Sequence, residues 1–131
     1  MSLACEIERS GNEPVVVRGN TQILSEMVRN LVENAIRYNV EGGCARVAII
    51  GAVDGSAIVR MSDTGIGIPL ELRERVFERF FRVDESRSKE TGGSGLGLAI
   101  VKHAAQVHGA KITVTGNDPQ GTIIEVRFPA K

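Results

Sequence analysis

Three groups of residues in this chain have types and spacings suited to chemistry. Asn30, Asn34, Arg37 and Tyr38 form the first. On a helix of 3.6 residues per turn they share an arc of about 100°. The arc lies beside the apolar stripe of the same segment, at the edge of a core where a cleft can open. A carboxamide is a neutral oxygen ligand, which suits Mg²⁺ when phosphates already bring the negative charge. Arg37 is placed to face a phosphate and Tyr38 to stack on a base. Taken alone, the same residues would serve equally well as caps for neighbouring loops. The second group is Asp63-Thr64-Gly65-Ile66-Gly67-Ile68-Pro69. An aspartate just after a strand can accept a hydrogen bond from an exocyclic amine, and glycines let backbone approach a flat ring. A plain tight turn uses the same residue types. The third is Gly92-Gly93-Ser94-Gly95-Leu96-Gly97, followed by the apolar Leu98-Ala99-Ile100-Val101. Backbone N–H groups at a helix start, together with the helix dipole, make an anion site. The run lacks the βαβ setting of a dinucleotide fingerprint and the terminal Lys-Ser/Thr of a Walker loop.

These groups need elements to hold them. Asn20 and Thr21 are helix N-cap types. Leu24, Val28, Leu31 and Ala35 then repeat at helical spacing, which predicts a helix to about Tyr38. Upstream, Cys5–Glu8 and Val15–Arg18 read as a hairpin-like pair of strands around Gly11-Asn12-Glu13-Pro14. Arg46–Val53 and Ala57–Ser62 read as strands joined by the Asp54-Gly55 hairpin signal. A short helix is expected at Glu71–Val76, an aromatic and basic segment at 77–82, and a mobile polar loop from Asp84 to Gly95. A second long helix is expected from Leu96 to His108. Lys111–Thr115 and Thr122–Phe128 read as a last hairpin. The sum is an α+β two-layer sandwich, a mixed, mainly antiparallel sheet with helices on one face.

Bulk properties narrow the partners. The chain has 131 residues, 42% hydrophobic and 24% charged, which suits one globular domain spanning 1–131. Its formal net charge of zero gives no basic surplus for nucleic acid or an anionic membrane. Cys5 and Cys44 are the two cysteines and have no metal-ligand spacing. Two free thiols in a reducing compartment are expected, with a single bridge left open. No apolar run approaches the roughly 20 residues that span a bilayer. Met1-Ser2-Leu3 reads as an added start, so a piece of a larger soluble protein is expected.

Taken in order, the motifs strongly resemble the ATP-binding catalytic domain of sensor histidine kinases. That family sits in the superfamily of DNA gyrase B, MutL and the ninety-kilodalton chaperone. Asn30-Leu-Val-Glu-Asn34-Ala-Ile-Arg37-Tyr38-Asn39 is similar to the N box. Asp63 to Pro69 is similar to the first G box, Phe77-Glu-Arg-Phe80-Phe81-Arg82-Val-Asp84 to the F box, and Gly92 to Leu98 to the second G box. The resemblance covers about residues 15 to 129. It implies the Bergerat-type ATP-binding fold, with ATP and Mg²⁺ as ligands. Asn34 would hold Mg²⁺, with Asn30 nearby at a catalytic position. Arg37 would contact phosphate and Tyr38 would lie against adenine. Asp63 would accept from adenine N6, while Gly65, Gly67 and Ile68 shape the base pocket. Gly93, Gly95, Leu96 and Gly97 would offer backbone to the phosphates. Residues 82–94 would form an ATP lid, with Phe77, Phe80 and Phe81 at its base. Arg82 would reach the γ-phosphate or the phosphoacceptor domain.

One departure from the superfamily sharpens this. Its ATPases carry a water-activating glutamate four residues before the magnesium asparagine, and here that position is Asn30, which is no general base. Glu33 points about 100° away from Asn34. The resemblance therefore implies a kinase whose acceptor histidine lies on a separate dimerisation domain of the parent chain, with a response regulator downstream. His103 and His108 lack the acceptor motif, and His108, before Gly109, reads as a helix C-terminal cap. The resemblance further implies a cytoplasmic domain of a parent anchored in the inner membrane, monomeric when isolated. An anti-sigma-type serine kinase and a non-catalytic nucleotide-binding module share the same boxes and stand as the alternatives.

Overall fold

A computed structural model describes residues 3–9, 19–37, 39–40, 42–51, 54–78, 97–118 and 120–129. Asn20 starts the first helix, α1 (Thr21–Arg37), as expected of an N-cap. Its Oδ1 accepts the backbone N–H of Ile23 at 3.0 Å, satisfying a donor that the first turn leaves open. Met27, Leu31 and Ala35 recur every four residues and are buried. The second helix, α2 (Gly97–Val107), buries Val101, Ala104 and Ala105. Gly109, with φ of 65°, lets the chain turn out of it. The N–H of Ala110 then reaches back to the carbonyl of Ala105 at 2.8 Å, a Schellman closure.

Five strands form one sheet in the order β1-β2-β3-β5-β4. They are β1 (Leu3–Arg9), β2 (Gly43–Gly51), β3 (Ala57–Asp63), β4 (Lys111–Gly116) and β5 (Thr122–Phe128). All pairings are antiparallel except β1 with β2, which is parallel. The period-2 alternation of β3 and β5 explains the register. Met61 stands opposite Ile124, Val59 opposite Val126 and Ala57 opposite Phe128, on the face that α1 and α2 cover. Arg60 and Glu125, also directly opposite, point the other way and pair at 3.5 Å. The expected α+β sandwich is thus present, with both hairpins, β2–β3 and β4–β5, in place.

One detail differs from the sequence reading and two add to it. The first strand pairs in parallel with β2; Val15–Arg18, its expected hairpin partner, lies outside the described residues. The short helix expected at Glu71–Val76 is two 3₁₀ turns, Leu70–Leu72 and Arg75–Phe77. A segment this short does not sustain an α-helix alone, and of its residues Val76 is buried while Leu70 is 75% exposed. The register sets Cys5 beside Ala45 and Cys44 beside Ala4, one step out of line with each other; Cys44 is a free thiol. No helix among the described residues is long and apolar enough to cross a membrane.

His108 joins the two helices. Its Nε2 accepts the N–H of Asn20 at 3.0 Å, and its Nδ1 lies 2.7 Å from the carbonyl of Ala104. That geometry requires a neutral ring with the proton on Nδ1. The ring also meets Phe128 edge-on, with centroids 6.0 Å apart. One imidazole thereby closes the start of α1 and the end of α2. His108→Phe keeps the ring contact and deletes both hydrogen bonds. The expected cost is about 1–3 kcal/mol, read as a lower midpoint in urea unfolding; an unchanged midpoint would show that the link carries no stability.

Candidate functional site

The last residue of β3 is an aspartate at the end of an otherwise apolar strand face. Asp63 is 7% exposed. Its Oδ1 accepts two backbone N–H groups, from Gly65 at 2.9 Å and from Thr122 at 3.2 Å. Its Oδ2 has no partner among the described residues. Burial raises the Asp63 pKa above the ordinary carboxylate value, and the two N–H bonds partly oppose that. Thr122, directly opposite Asp63 in the register, is 6% exposed, and its hydroxyl also has no described partner. An acceptor oxygen and a hydroxyl, each without a described partner, thus belong to two residues paired directly across the end of the sheet. Together they can read the donor and acceptor edge of a base.

The loop after Asp63 is held from two sides. On one side is Asn39, fully buried just beyond α1. Its Nδ2 donates to the carbonyl of Cys44 at 3.0 Å. Its Oδ1 accepts from the Val40 N–H at 2.9 Å and from the Thr64 hydroxyl at 3.2 Å. Thr64 Oγ1 in turn accepts the Cys44 N–H at 2.8 Å. On the other side is the turn between β4 and β5. Asn117 Nδ2 donates to the Asp63 carbonyl and Gln120 Nε2 to the Gly65 carbonyl, each at 2.8 Å. Gly121, with φ of 122°, lies so close to the Asp63 carbonyl that any Cβ there would collide with it. Gly67 also has positive φ, 77°, which accounts for glycine at that position.

The first helix brings its polar edge to the same region. Asn34 is half-buried and its amide has no hydrogen-bond partner among the described residues. Asn30 donates to the carbonyl of Glu26 at 2.7 Å. Its Oδ1 faces Gly97, where an added Cβ would stand 3.2 Å away. Glu33 is exposed, and Arg37 ends the helix. Ile68 is half-buried, its carbonyl accepting from Arg73 Nε at 3.1 Å. Asn39, just beyond α1, thus touches the Asp63 loop through Thr64, and Asn30 on α1 lies against Gly97 at the start of α2. Tyr38, Arg82, Gly93, Gly95, Leu96 and the segment 82–94 lie outside the described residues. Among the described residues no group of three His, Cys, Asp or Glu converges on a metal position. A metal here would rest on a carboxamide such as Asn34 and on the ligand's own oxygens.

Sequence reasoning gave no role to Thr122, Asn117 or Gln120, and none to Asn39 beyond membership of its motif. Thr122 looked like the first residue of a strand and the other two like turn formers. Nothing local in the sequence announces that β5 pairs with β3.

A profile of the histidine kinase-, DNA gyrase B- and HSP90-like ATPases matches residues 19–131. The sensor-like histidine kinase SenX3 of Mycobacterium tuberculosis is 43% identical over 126 residues, covering 95% of this chain and 30% of that protein. The chain thus spans less than a third of the length of that relative. The mycobacterial sensor histidine kinase MprB has the same fold, with a TM-score of 0.84 and 34% identity over 98% of this chain and 83% of that one. Full-length ShkA, solved in complex with AMPPNP, aligns with a TM-score of 0.80 and 26% identity over 97% of this chain and 25% of that one.

The raised pKa of Asp63 makes a stability prediction. The folded chain holds this proton to higher pH than the unfolded chain does. Stability from this group is therefore greatest at low pH and falls as pH rises through the unfolded and then the folded pKa. Asp63→Asn keeps an Oδ1 for both N–H groups and removes the buried charge. Without nucleotide, that variant should be at least as stable as the parent at pH 7, with the difference closing as the solution is acidified through the carboxylate range. Urea midpoints across pH check this; a variant clearly less stable at pH 7 would contradict it.

Proposed function

The chain belongs to the histidine kinase-, DNA gyrase B- and HSP90-like ATPase family, among the catalytic domains of sensor histidine kinases, and we propose that it binds Mg²⁺ and ATP and passes the γ-phosphate to a histidine on a separate dimerisation domain. The observation that carries this is the buried Asp63, whose Oδ1 is held by Gly65 and Thr122 while its Oδ2 has no partner among the described residues. A carboxylate left with one unmet acceptor at the end of a sheet favours a ligand with an N–H donor, and adenine N6 is such a donor. The AMPPNP held by ShkA supports the same choice of ligand.

The remaining roles follow position by position. Asn34 would hold Mg²⁺, with phosphate oxygens supplying the negative ligands; when bound, the ion neutralises phosphate charge. Arg37 would meet phosphate, and Tyr38 the adenine face. Gly65, Gly67 and Ile68 would line the base pocket. The N–H groups of Gly93, Gly95, Leu96 and Gly97 would bind phosphate at the start of α2, where the helix dipole favours an anion. Residues 82–94 would close as a lid, and Arg82 would steady the γ-phosphate as it transfers. The acceptor imidazole nitrogen forms a bond to the γ-phosphorus, the bond from that phosphorus to the β,γ-bridging oxygen breaks, and ADP leaves. The protein contributes position and charge more than proton transfer. Asn30 supplies no base for water, and its amide N–H is already engaged with Glu26. The phosphohistidine would then serve a response regulator, and the domain would work in the cytoplasm of a membrane-anchored parent.

The test supplies γ-labelled ATP, the chain and the dimerisation domain of its parent. Acid-labile, alkali-stable label should appear on the acceptor histidine and should require Mg²⁺. Asn34→Ala should lower transfer by about 100-fold or more, as for loss of one charge-stabilising group. Acid-stable label on serine, or tight ATP binding with no transfer, would replace this reading with a serine kinase or a binding module.

A further inference from the structure

Resting on the adenine reading of Asp63, we propose that the turn between β4 and β5 is a positioning device for base selectivity, with Asn117 and Gln120 as its working residues. Four contacts run from this one turn onto the two residues that flank Thr64. Asn117 Nδ2 holds the Asp63 carbonyl and Gln120 Nε2 the Gly65 carbonyl. The Thr122 N–H holds Asp63 Oδ1. Gly121 packs its bare Cα against the Asp63 carbonyl. The turn itself is braced, since the Asn117 N–H donates to the Gly121 carbonyl at 3.1 Å and Asn117 Oδ1 accepts the Asp118 N–H at 2.9 Å.

Geometry gives these bonds a function beyond stability. An aspartate discriminates adenine from guanine only if its acceptor oxygen stays where the exocyclic amine arrives, because guanine presents a carbonyl at that point. Two rotations would move Oδ2: a turn of the Asp63 side chain and a rotation of the peptide units that run from Asp63 through Gly65. The two N–H bonds to Oδ1 stop the first. The side-chain amides of Asn117 and Gln120 stop the second by pinning the carbonyls before and after Thr64, while Asn39 holds Thr64 from the opposite side. Asn117 and Gln120 touch no base. They act through Asp63, and the rigid acceptor makes a mismatched base leave buried polar groups unpaired.

The experiment measures ATP and GTP affinities on the whole chain, comparing the parent with Asn117→Ala/Gln120→Ala, with Gln120→Glu, and with Asp63→Asn as the reference. The ratio of the two affinities is the readout. A partly unfolded variant weakens both nucleotides alike and leaves the ratio unmoved. The double variant should lose about tenfold in the ATP-to-GTP ratio, near the worth of one hydrogen bond. Gln120→Glu, which keeps the shape but sets an oxygen against the Gly65 carbonyl, should shift the ratio the same way. If Asp63→Asn collapses the ratio while both turn variants keep the parent's value, the positioning role is overturned and the adenine reading stands. If Asp63→Asn leaves the ratio intact, the adenine reading falls and takes this proposal with it.

Discussion

Burying a carboxylate is costly unless N–H groups meet it, and the site is arranged around one such carboxylate. Asp63 ends β3 inside the layer between sheet and helices. Two backbone N–H groups satisfy one of its oxygens and leave the other open. Half-satisfaction of this kind is a stability cost in the empty protein, since burial raises the carboxyl's pKa. A ligand that donates one hydrogen bond removes that cost. The same feature therefore weakens the fold slightly and, on the proposed reading, prepares it for a nucleotide base.

The loop can carry this group because its neighbours are polar and fully engaged. Asn39 uses both ends of its amide, to Cys44 on one side and to Val40 and Thr64 on the other. Asn117 and Gln120 reach in from the last hairpin. Such networks stabilise when every member is satisfied and are costly when one is lost. They also tie together elements that the hydrophobic core alone would leave free to slide. His108 does the same at the far end of the two helices, bridging Asn20 and Ala104.

On the proposed reading, division of labour follows from one position. Asn30 stands on the polar edge of α1, against Gly97 at the start of α2. A glutamate there would bring a base toward the phosphates. An asparagine binds without activating water, so the triphosphate can await an acceptor from another domain. The family profile covers kinases and ATPases alike. On that reading, this one side chain on a shared fold would favour transfer over hydrolysis.

Much of the architecture was legible in the residues. Asn20 announces the start of α1, Asp54-Gly55 announces the β2–β3 turn, and the apolar spacing of α1 marks its core face. These are local effects of capping, turn chemistry and periodicity. The order of four motifs was enough to indicate the family. Local signals could not show that β1 runs parallel to β2 or that β5 lies between β3 and β4, because strand pairing is a contact between distant segments. Nor could they show that residues 70–77 form 3₁₀ turns, since only the packing around Val76 decides that. The holders of Asp63 lie 54 and 59 positions away, at Asn117 and Thr122, and the holder of Gly65 lies 55 away at Gln120. The sequence by itself determined which groups are available, because propensity and side-chain chemistry are local. Which of them meet Asp63, and so which oxygen stays open, was decided by the tertiary structure, because only the pairing of β5 with β3 brings that turn to the end of the strand.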